Sequence, residues 1–397
     1  MITLTVSQAR QFMLLKHGLL GDYKFTGKKG AFDFIRQCGC IQYDPVDICG
    51  KNAELTLQSR IKDFSKNMLD ELLYKDRKLF DYPDKNLSVI PVEDWPYFER
   101  YRKAARENAK RYPEIKTHVK NVRSYIEANG AICSNDIDID GGFFWKSAIH
   151  WSAGNKLSRS ALEHMYSTGE LVIHHKKGTR KYYDLSSRHI PESILNAPEP
   201  LPDEFDHQKW RVLRRIGAVG LLWNRPSDAW LNIWGINNET RNNIFNALSE
   251  EKKIAAVSVE GLRDLLYINK DDMPLLNAVP QNPDIKSRCE FIAPLDCFMW
   301  DRKLIKKLFN YEYTWEIYTP PNKRKYGVYV LPVLYGQQFA GRIEAVCERK
   351  TGTLIVKNIW YEGNLRLTKK IQAAVDNCLK RFAVFNGCKE LNCFIKD

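Results

Sequence analysis

No run of this sequence reaches the roughly 18 apolar residues that a membrane-spanning helix needs, and the first residues carry no signal-peptide pattern. Low-complexity tracts are missing as well, so a disordered linker or scaffold is not the expected class. The 10 cysteines stand at 38, 40, 49, 133, 289, 297, 347, 378, 388 and 393, and none forms a Cys-x-x-Cys pair. No histidine sits at ligand spacing from the two close pairs, Cys38/Cys40 and Cys388/Cys393. A zinc ribbon or thioredoxin-type motif is thereby disfavoured, and reduced thiols in a cytoplasmic protein are expected.

What the chain has is an excess of positive charge. Lys and Arg number 61 against 48 Asp and Glu, a formal net charge of +13. That balance favours a polyanionic partner, with nucleic acid ahead of a membrane surface. A length of 397 residues exceeds one ordinary core, so about two to four domains are expected.

The most informative stretch is Gly39-Cys40-Ile41-Gln42-Tyr43-Asp44-Pro45-Val46-Asp47. A helical run from Lys28 to Gln37 precedes it, and Gly39 is suited to end that helix. Ile41, Tyr43 and Val46 are expected to face inward, leaving Gln42 and Asp44 on the opposite face of a short extended segment. Pro45 stops the strand, because it has no N–H for a ladder. An amide and a carboxylate two residues apart on a rigid turn can position a water and stabilise a nearby positive charge. Asp-Pro is also ordinary turn chemistry with a solvated glutamine beside it, and spacing alone leaves both readings open.

Periodicity predicts helices separated by short turns over residues 3–80. Ser7 is expected to cap a helix burying Ala9, Phe12, Met13 and Leu14. Ala31, Phe32 and Ile35 follow, then Leu55, Leu57 and Ile61, then Met68, Leu69, Leu72 and Leu73. Lys51 and Arg60 beside the motif are candidate DNA contacts. Residues 97–123 form a basic, largely helical stretch whose charges fall on several faces and are mostly solvated.

Residues 115–188 carry the order helix, helix, recognition helix and β-wing. Val119, Val122 and Ile126 line one face, and Ser134 is expected to cap the next helix. In the third helix Leu157, Ala161, Leu162 and Met165 face the core, leaving Lys156, Arg159 and Ser160 outward. Two strands around a turn place Lys176, Lys177, Arg180 and Lys181 along a phosphate strand, unless the hairpin is simply solvated. His174 and His175 are adjacent on a strand, so alternation points them to opposite faces and makes them a poor metal pair.

A looser copy of helix, helix, helix and hairpin runs from Trp210 to Asn269, with strands at Ile254 to Val259 and Leu265 to Ile268. Pro274 to Pro283 is the expected linker. Beyond it, Phe291 to Ala293, Thr314 to Tyr318, Gly327 to Leu334, Phe339 to Val346 and Thr353 to Trp360 read as strands, closed by a helix from Thr368 to Phe385. Lys323, Arg324 and Lys325 form a basic tip suited to phosphate, although such tips also keep sheet edges soluble. Asp296, Asp301 and Arg302 beside Trp300 either line a cleft or make a structural ion pair, with Arg302 a candidate DNA contact.

The fold class expected is therefore α+β, with tandem winged-helix (helix-turn-helix) domains followed by a C-terminal β-barrel-like domain. The divisions fall at 1–90, 91–200, 201–275 and 285–397, the first holding the Gln-x-Asp motif and the second the basic wing.

The motif stretch, with Leu55-Thr56-Leu57-Gln58-Ser59-Arg60-Ile61 after it, resembles the YcaQ-like winged-helix DNA glycosylases, crosslink-repair enzymes related to the azinomycin-resistance glycosylase. The resemblance continues through Val89 to Pro96, Pro294-Leu295-Asp296, Trp300-Asp301-Arg302, Glu316-Ile317-Tyr318 and Lys323 to Gly327, nearly the whole chain. It implies that Gln42 and Asp44 form the catalytic Gln-apolar-Asp tripeptide. Where many members carry Tyr-Trp-x-His, this chain has Tyr82-Pro83-Asp84-Lys85, and a second histidine common after the motif is replaced by Glu54.

The resemblance implies hydrolysis of the N-glycosidic bond of N7-alkylated guanine in double-stranded DNA, with bulky adducts and interstrand crosslinks accepted in an open cleft. Asp44 would stabilise the sugar cation and deprotonate water, and Gln42 would hold that water. No cofactor or metal is called for, and a monomer is expected. A lyase would need a depressed-pKa lysine or an N-terminal amine, which the motif itself lacks. The alternative is a non-enzymatic winged-helix transcription regulator, which residues 115–269 would suit equally well. An RNA-binding module is a more distant option.

Overall fold

The structure is a computed structural model that describes residues 2–109, 115–137, 142–143, 155–279, 285–363 and 365–393. Helices and several separate sheets make it a mixed α+β fold. Contact density divides the chain into two compact units. One comprises Met1–Leu69, Asp84–Ser88 and Gln208–Asp397, and the other Asp70–Pro83 and Val89–His207.

In the first unit, the strand Ile2–Leu4 leads into the helix Val6–Lys16. Thr5, not Ser7, caps it: its hydroxyl accepts from the Gln8 N–H while the Gln8 side chain accepts from the Thr5 N–H. Ala9, Phe12, Met13 and Leu14 are buried as expected. The helix Gly27–Cys38 buries Ala31, Phe34 and Ile35 and ends at Gly39, which adopts φ +73°. The short helix Asn52–Gln58 comes after the motif strand Ile41–Gln42.

The strand Ile2–Leu4 is the edge of a four-stranded sheet, paired in parallel with Ile254–Val259, which Leu266–Asn269 and Leu222–Trp223 follow in order. The helices Glu204–Val219 and Asn238–Glu250 flank that sequence region. Between them the expected middle helix is only a 3-10 turn, Asp228–Trp230, capped by Ser227. The start of the expected linker is likewise helical: Met273–Ala278 accommodates Pro274 in its first turn, where no N–H is needed. Pro280 and Pro283 lie outside the described residues.

A five-stranded sheet comes next, in the order Cys289–Phe291, Val330–Tyr335, Gln338–Glu348, Thr353–Tyr361, Glu390–Cys393. Register shifts at Val333/Leu334 and Glu344/Ala345 mark bulges, the device that curves a sheet. The helix Lys369–Phe385 contributes Val375, Leu379 and Phe382 to a core with Phe291, Leu331, Val333, Leu354 and Val356. Cys49 and Leu55 belong to that same core, and Val46 and Ile48 pack on it, so the tail of the motif is anchored in the C-terminal sheet. The expected strand at Thr314 to Tyr318 is instead a 3-10 turn. The Glu316 carboxylate accepts the N–H groups of Lys325, Tyr326 and Gly327, which shapes the basic tip as a clamped loop rather than a hairpin.

In the second unit, the helices Glu99–Ala109, Ile115–Asn129 and Leu157–Ser167 precede the hairpin Leu171–Lys177 and Arg180–Leu185. Val122, Ile126, Ala161, Leu162 and Met165 are buried as the periodicity predicts. Phe80, Tyr82, Trp95, Phe98 and Tyr166 supply an aromatic cluster. Ser160, expected to face outward, is fully buried. Ser134 caps no described helix: the Cys133 N–H bonds the Asp136 carboxylate in a turn, and residues 138–141 lie outside the described ones.

The basic stretch is also less solvated than expected. Arg102 is buried against Trp95 and paired with Glu99, and Arg100 is paired with Glu199 and Glu204. Lys110, Arg111 and the Lys116 side chain lie outside the described residues. His174 and His175 depart from alternation too. The register passes from His175↔Tyr182 to Ile173↔Tyr183, so His174 is an extra residue in a bulge and the two Nδ1 atoms lie 2.8 Å apart.

Candidate active site

The motif is held from behind by one carboxylate. Arg211, Arg214 and Arg215 of the helix Glu204–Val219 converge on Asp84 at 2.6, 3.2 and 2.6 Å. Burial alone would raise the Asp84 pKa, but the three guanidinium groups drive it far below the usual carboxylate range. Two of these arginines also reach the motif: Arg214 Nη2 donates to Gly39 O at 2.8 Å, and Arg215 Nη1 contacts Cys40 Sγ at 3.4 Å. The positive φ favours glycine at 39, and a Cβ there would lie 2.7 Å from Arg214 Cζ and displace that guanidinium. Tyr43 N–H donates to Leu87 O at 2.9 Å, tying the motif to the Asp84–Ser88 tip.

Gln42 is not solvated; it is 3% exposed. Its backbone carbonyl accepts from Asn52 Nδ2 at 2.9 Å, and Asn52 Oδ1 accepts the Leu295 N–H at 2.9 Å. Its side-chain Oε1 accepts from Lys85 Nζ at 3.1 Å. Lys85 is 4% exposed with its ammonium 5.1 Å from the centre of the Trp300 ring. Burial, reinforced by Arg215, lowers its pKa to about 8. The chain therefore does place a depressed-pKa lysine at the motif, although the motif itself contains none.

Asp44 is half-buried on the turn after Gln42. Its Oδ1 accepts the Val46 N–H at 2.9 Å, an Asx turn that Pro45 favours. Among the described residues no hydrogen bond engages Oδ2. Burial raises the Asp44 pKa, with the Val46 N–H opposing the shift.

Arg60 is not a phosphate contact. It is fully buried, donating to Asp296 Oδ1 at 2.6 Å and to Thr56 O at 2.6 Å, with Phe34 against its guanidinium. The cluster around Trp300 is likewise structural. Asp301 accepts from Trp223 Nε1 at 2.7 Å and caps the helix Arg302–Phe309, while half-buried Arg302 lies over Tyr313.

The remaining candidates divide by exposure. Lys51 is partly buried and paired with Glu54 at 3.4 Å; Lys176 is buried against Asp81, so neither offers a free charge. Lys181 is half-buried, its ammonium near the Tyr166 ring, and burial lowers its pKa. Arg324 is partly tied down by Thr319 O. Lys177, Arg180, Lys323 and Lys325 are exposed, as is Arg159 beside Glu163. The Lys156 side chain lies outside the described residues.

Among the described residues, two groupings have donors suited to a metal: His174, Asp184 and His189, and His17, Asp296 and Cys297. In each the carboxylate already answers an arginine, Arg188 at 3.1 Å in the first and Arg60 at 2.6 Å in the second. A cation would have to displace those pairs.

Sequence reasoning missed Asn52 and Lys85 as neighbours of Gln42. Only Lys85 left a trace, as the departure from Tyr-Trp-x-His.

The chain matches the AlkZ-like DNA glycosylase family over residues 35–385 and belongs to that family, whose members act on N-glycosyl bonds in DNA. A DNA glycosylase of DNA repair is the class so defined, which disfavours a non-enzymatic regulator. Among solved structures the chain is similar to the Streptomyces sahachiroi DNA glycosylase AlkZ, with TM-score 0.64 and 13% identity, each chain covered in full. At that identity the likeness speaks for the fold.

Proposed function

We propose that this chain hydrolyses the N-glycosidic bond of N7-alkylated guanines in duplex DNA, bulky adducts and interstrand crosslinks included, by a water-mediated monofunctional mechanism. N7-alkylation places a formal positive charge on the base and weakens its bond to C1′. Departure of the base leaves an oxocarbenium-like sugar that needs only an anion and a water. Asp44 supplies the anion and removes the water's proton, and Gln42 orients the water. The observation that carries this reading is the Asp44 carboxylate itself: half-buried, one oxygen held by Val46 N–H, the other unengaged among the described residues, two residues from a fixed Gln42.

We read the helices and hairpins of residues 115–185 and 204–269 as winged-helix arrangements, and the curved five-stranded sheet as the barrel-like domain. Exposed Lys177, Arg180, Lys323 and Lys325, together with Arg159, are the phosphate contacts of this reading. The protein would act as a monomer on cytoplasmic, nucleoid DNA.

The test is single-turnover base release from duplexes carrying N7-methylguanine or a nitrogen-mustard crosslink. Asp44→Asn is expected to slow release roughly 100-fold, about 3 kcal/mol of barrier. Duplex binding by the wild type without release of either base would refute the proposal.

A further inference from the structure

Lysines are seldom buried without a carboxylate, because a desolvated ammonium needs an opposite charge or a full set of acceptors. Lys85 has neither. Among the described residues no carboxylate lies within ion-pair distance of it, and its hydrogen bond goes to Gln42 Oε1 at 3.1 Å. Its surroundings are Arg215 and Arg302, which repel it, Asp228, which attracts it, the Cys40 thiol and the Trp300 ring. The backbone leaves it little choice of place. Asp84, next in the chain, is locked by three arginines, and Lys85 O accepts the Ser88 hydroxyl at 3.2 Å.

We propose that Lys85 is a positioning residue for the glycosylase reaction, its ammonium holding the Gln42 carboxamide in the single orientation that serves the attacking water. The inference rests on the function proposed above. An ammonium only donates, whereas a carboxamide offers a donor at one end and an acceptor at the other. Opposed to Lys85 the amide has one stable setting: Oε1 toward the lysine, the NH2 group directed away. With no donor at position 85 the amide flips freely, and the water loses a fixed partner. Asn52 holds the Gln42 main-chain carbonyl and Lys85 its side-chain oxygen, one partner at each end of the residue. Retention of a buried charge at this site, where an apolar residue would pack more easily, is explained by that task.

The experiment measures single-turnover base release and duplex affinity for the wild type, Lys85→Met, Lys85→Arg, Gln42→Ala and the double variant Gln42→Ala/Lys85→Met. Lys85→Met is expected to slow release roughly 10- to 100-fold, with duplex Kd within about 2-fold of wild type. In the Gln42→Ala background the same change should have no further effect, because the lysine acts through the glutamine. Lys85→Arg keeps a permanent donor and should recover most of the rate. The wild-type rate should decline above about pH 8 as the ammonium loses its proton, and the Lys85→Arg rate should not.

Independent effects of the two substitutions would overturn the proposal, as would a Lys85→Met defect confined to DNA affinity. A borohydride-trapped adduct between Lys85 and abasic DNA would also overturn it, by making the lysine a nucleophile. No base release by wild type at any pH is a different failure: it removes the glycosylase reading itself, and the Lys85 proposal with it.

Discussion

Asn52 holds Gln42 by the main chain: its side-chain NH2 donates to the Gln42 carbonyl at 2.9 Å while its Oδ1 takes the Leu295 N–H at 2.9 Å. One 1%-exposed amide thus ties the motif strand to the segment that leaves the first strand of the C-terminal sheet. Asn52→Leu, nearly isosteric, strands a buried carbonyl and a buried N–H. It should cost about 2–4 kcal/mol of stability and lower base release more than duplex binding. Urea denaturation and single-turnover rates check this together.

Asp84 is expected to be the most sensitive carboxylate. Asp84→Asn leaves Arg211, Arg214 and Arg215 uncompensated, and removing one partner of a buried pair costs about 3–5 kcal/mol. Its folded pKa lies below its unfolded value, so its contribution is present above the unfolded pKa of about 4 and is lost as pH falls below it. The gap in denaturation midpoint between wild type and Asp84→Asn should be full at pH 7 and begin to narrow only as pH falls below about 4, progressively toward the much lower folded pKa.

Lys85 has the opposite sign. Its folded pKa, about 8, lies below an unfolded value of 10.5, so the unfolded chain binds more protons between the two. Its burden on stability is full below pH 8 and is relieved as pH rises toward 10.5. Lys85→Met should therefore stabilise the fold by roughly 1–3 kcal/mol at neutral pH while slowing catalysis. A thermal melt in which Lys85→Met falls well below wild type would contradict the burial argument.

Burial raises the Asp44 pKa above the ordinary carboxylate value, so its anion forms at a higher pH than a solvated aspartate's. Base release should rise with pH through that shifted value. Asp44→Asn should abolish the rising limb, leaving a slow rate without it. The pH–rate profile at saturating enzyme is the measurement.

Arg60 and the hairpin tip should separate cleanly. Arg60→Ala leaves Asp296 buried without its partner and is expected to destabilise by about 3–5 kcal/mol. Lys177→Ala and Arg180→Ala, both exposed, should leave stability unchanged. Each should lower duplex affinity uniformly across sequences and reduce the salt slope by about 1.

Local chemistry was legible in the sequence. Gly39 ends a helix, Pro45 ends a strand, and the apolar period marks the buried faces of residues 115–129 and 157–167. The hairpin strands and the closing helix Lys369–Phe385 were legible for the same reason: alternation and helical spacing are encoded within a few residues. The Gln42–Asp44 pair drew notice because an amide and a carboxylate flank one apolar residue.

Tertiary structure alone decided who meets whom. Arg60 lies on what periodicity makes a polar face, yet Asp296, 236 positions later, turns that face inward. The strand Ile2–Leu4 finds its partner at Val257 to Val259, and Ser7 loses its cap to Thr5 because the chain enters the helix from that strand. A bulge at His174 defeats the period of two that placed the two histidines apart. Most consequentially, Lys85 and Asn52 reach Gln42 from different elements. Pairings across long separations depend on the packing of whole elements, which no local period records.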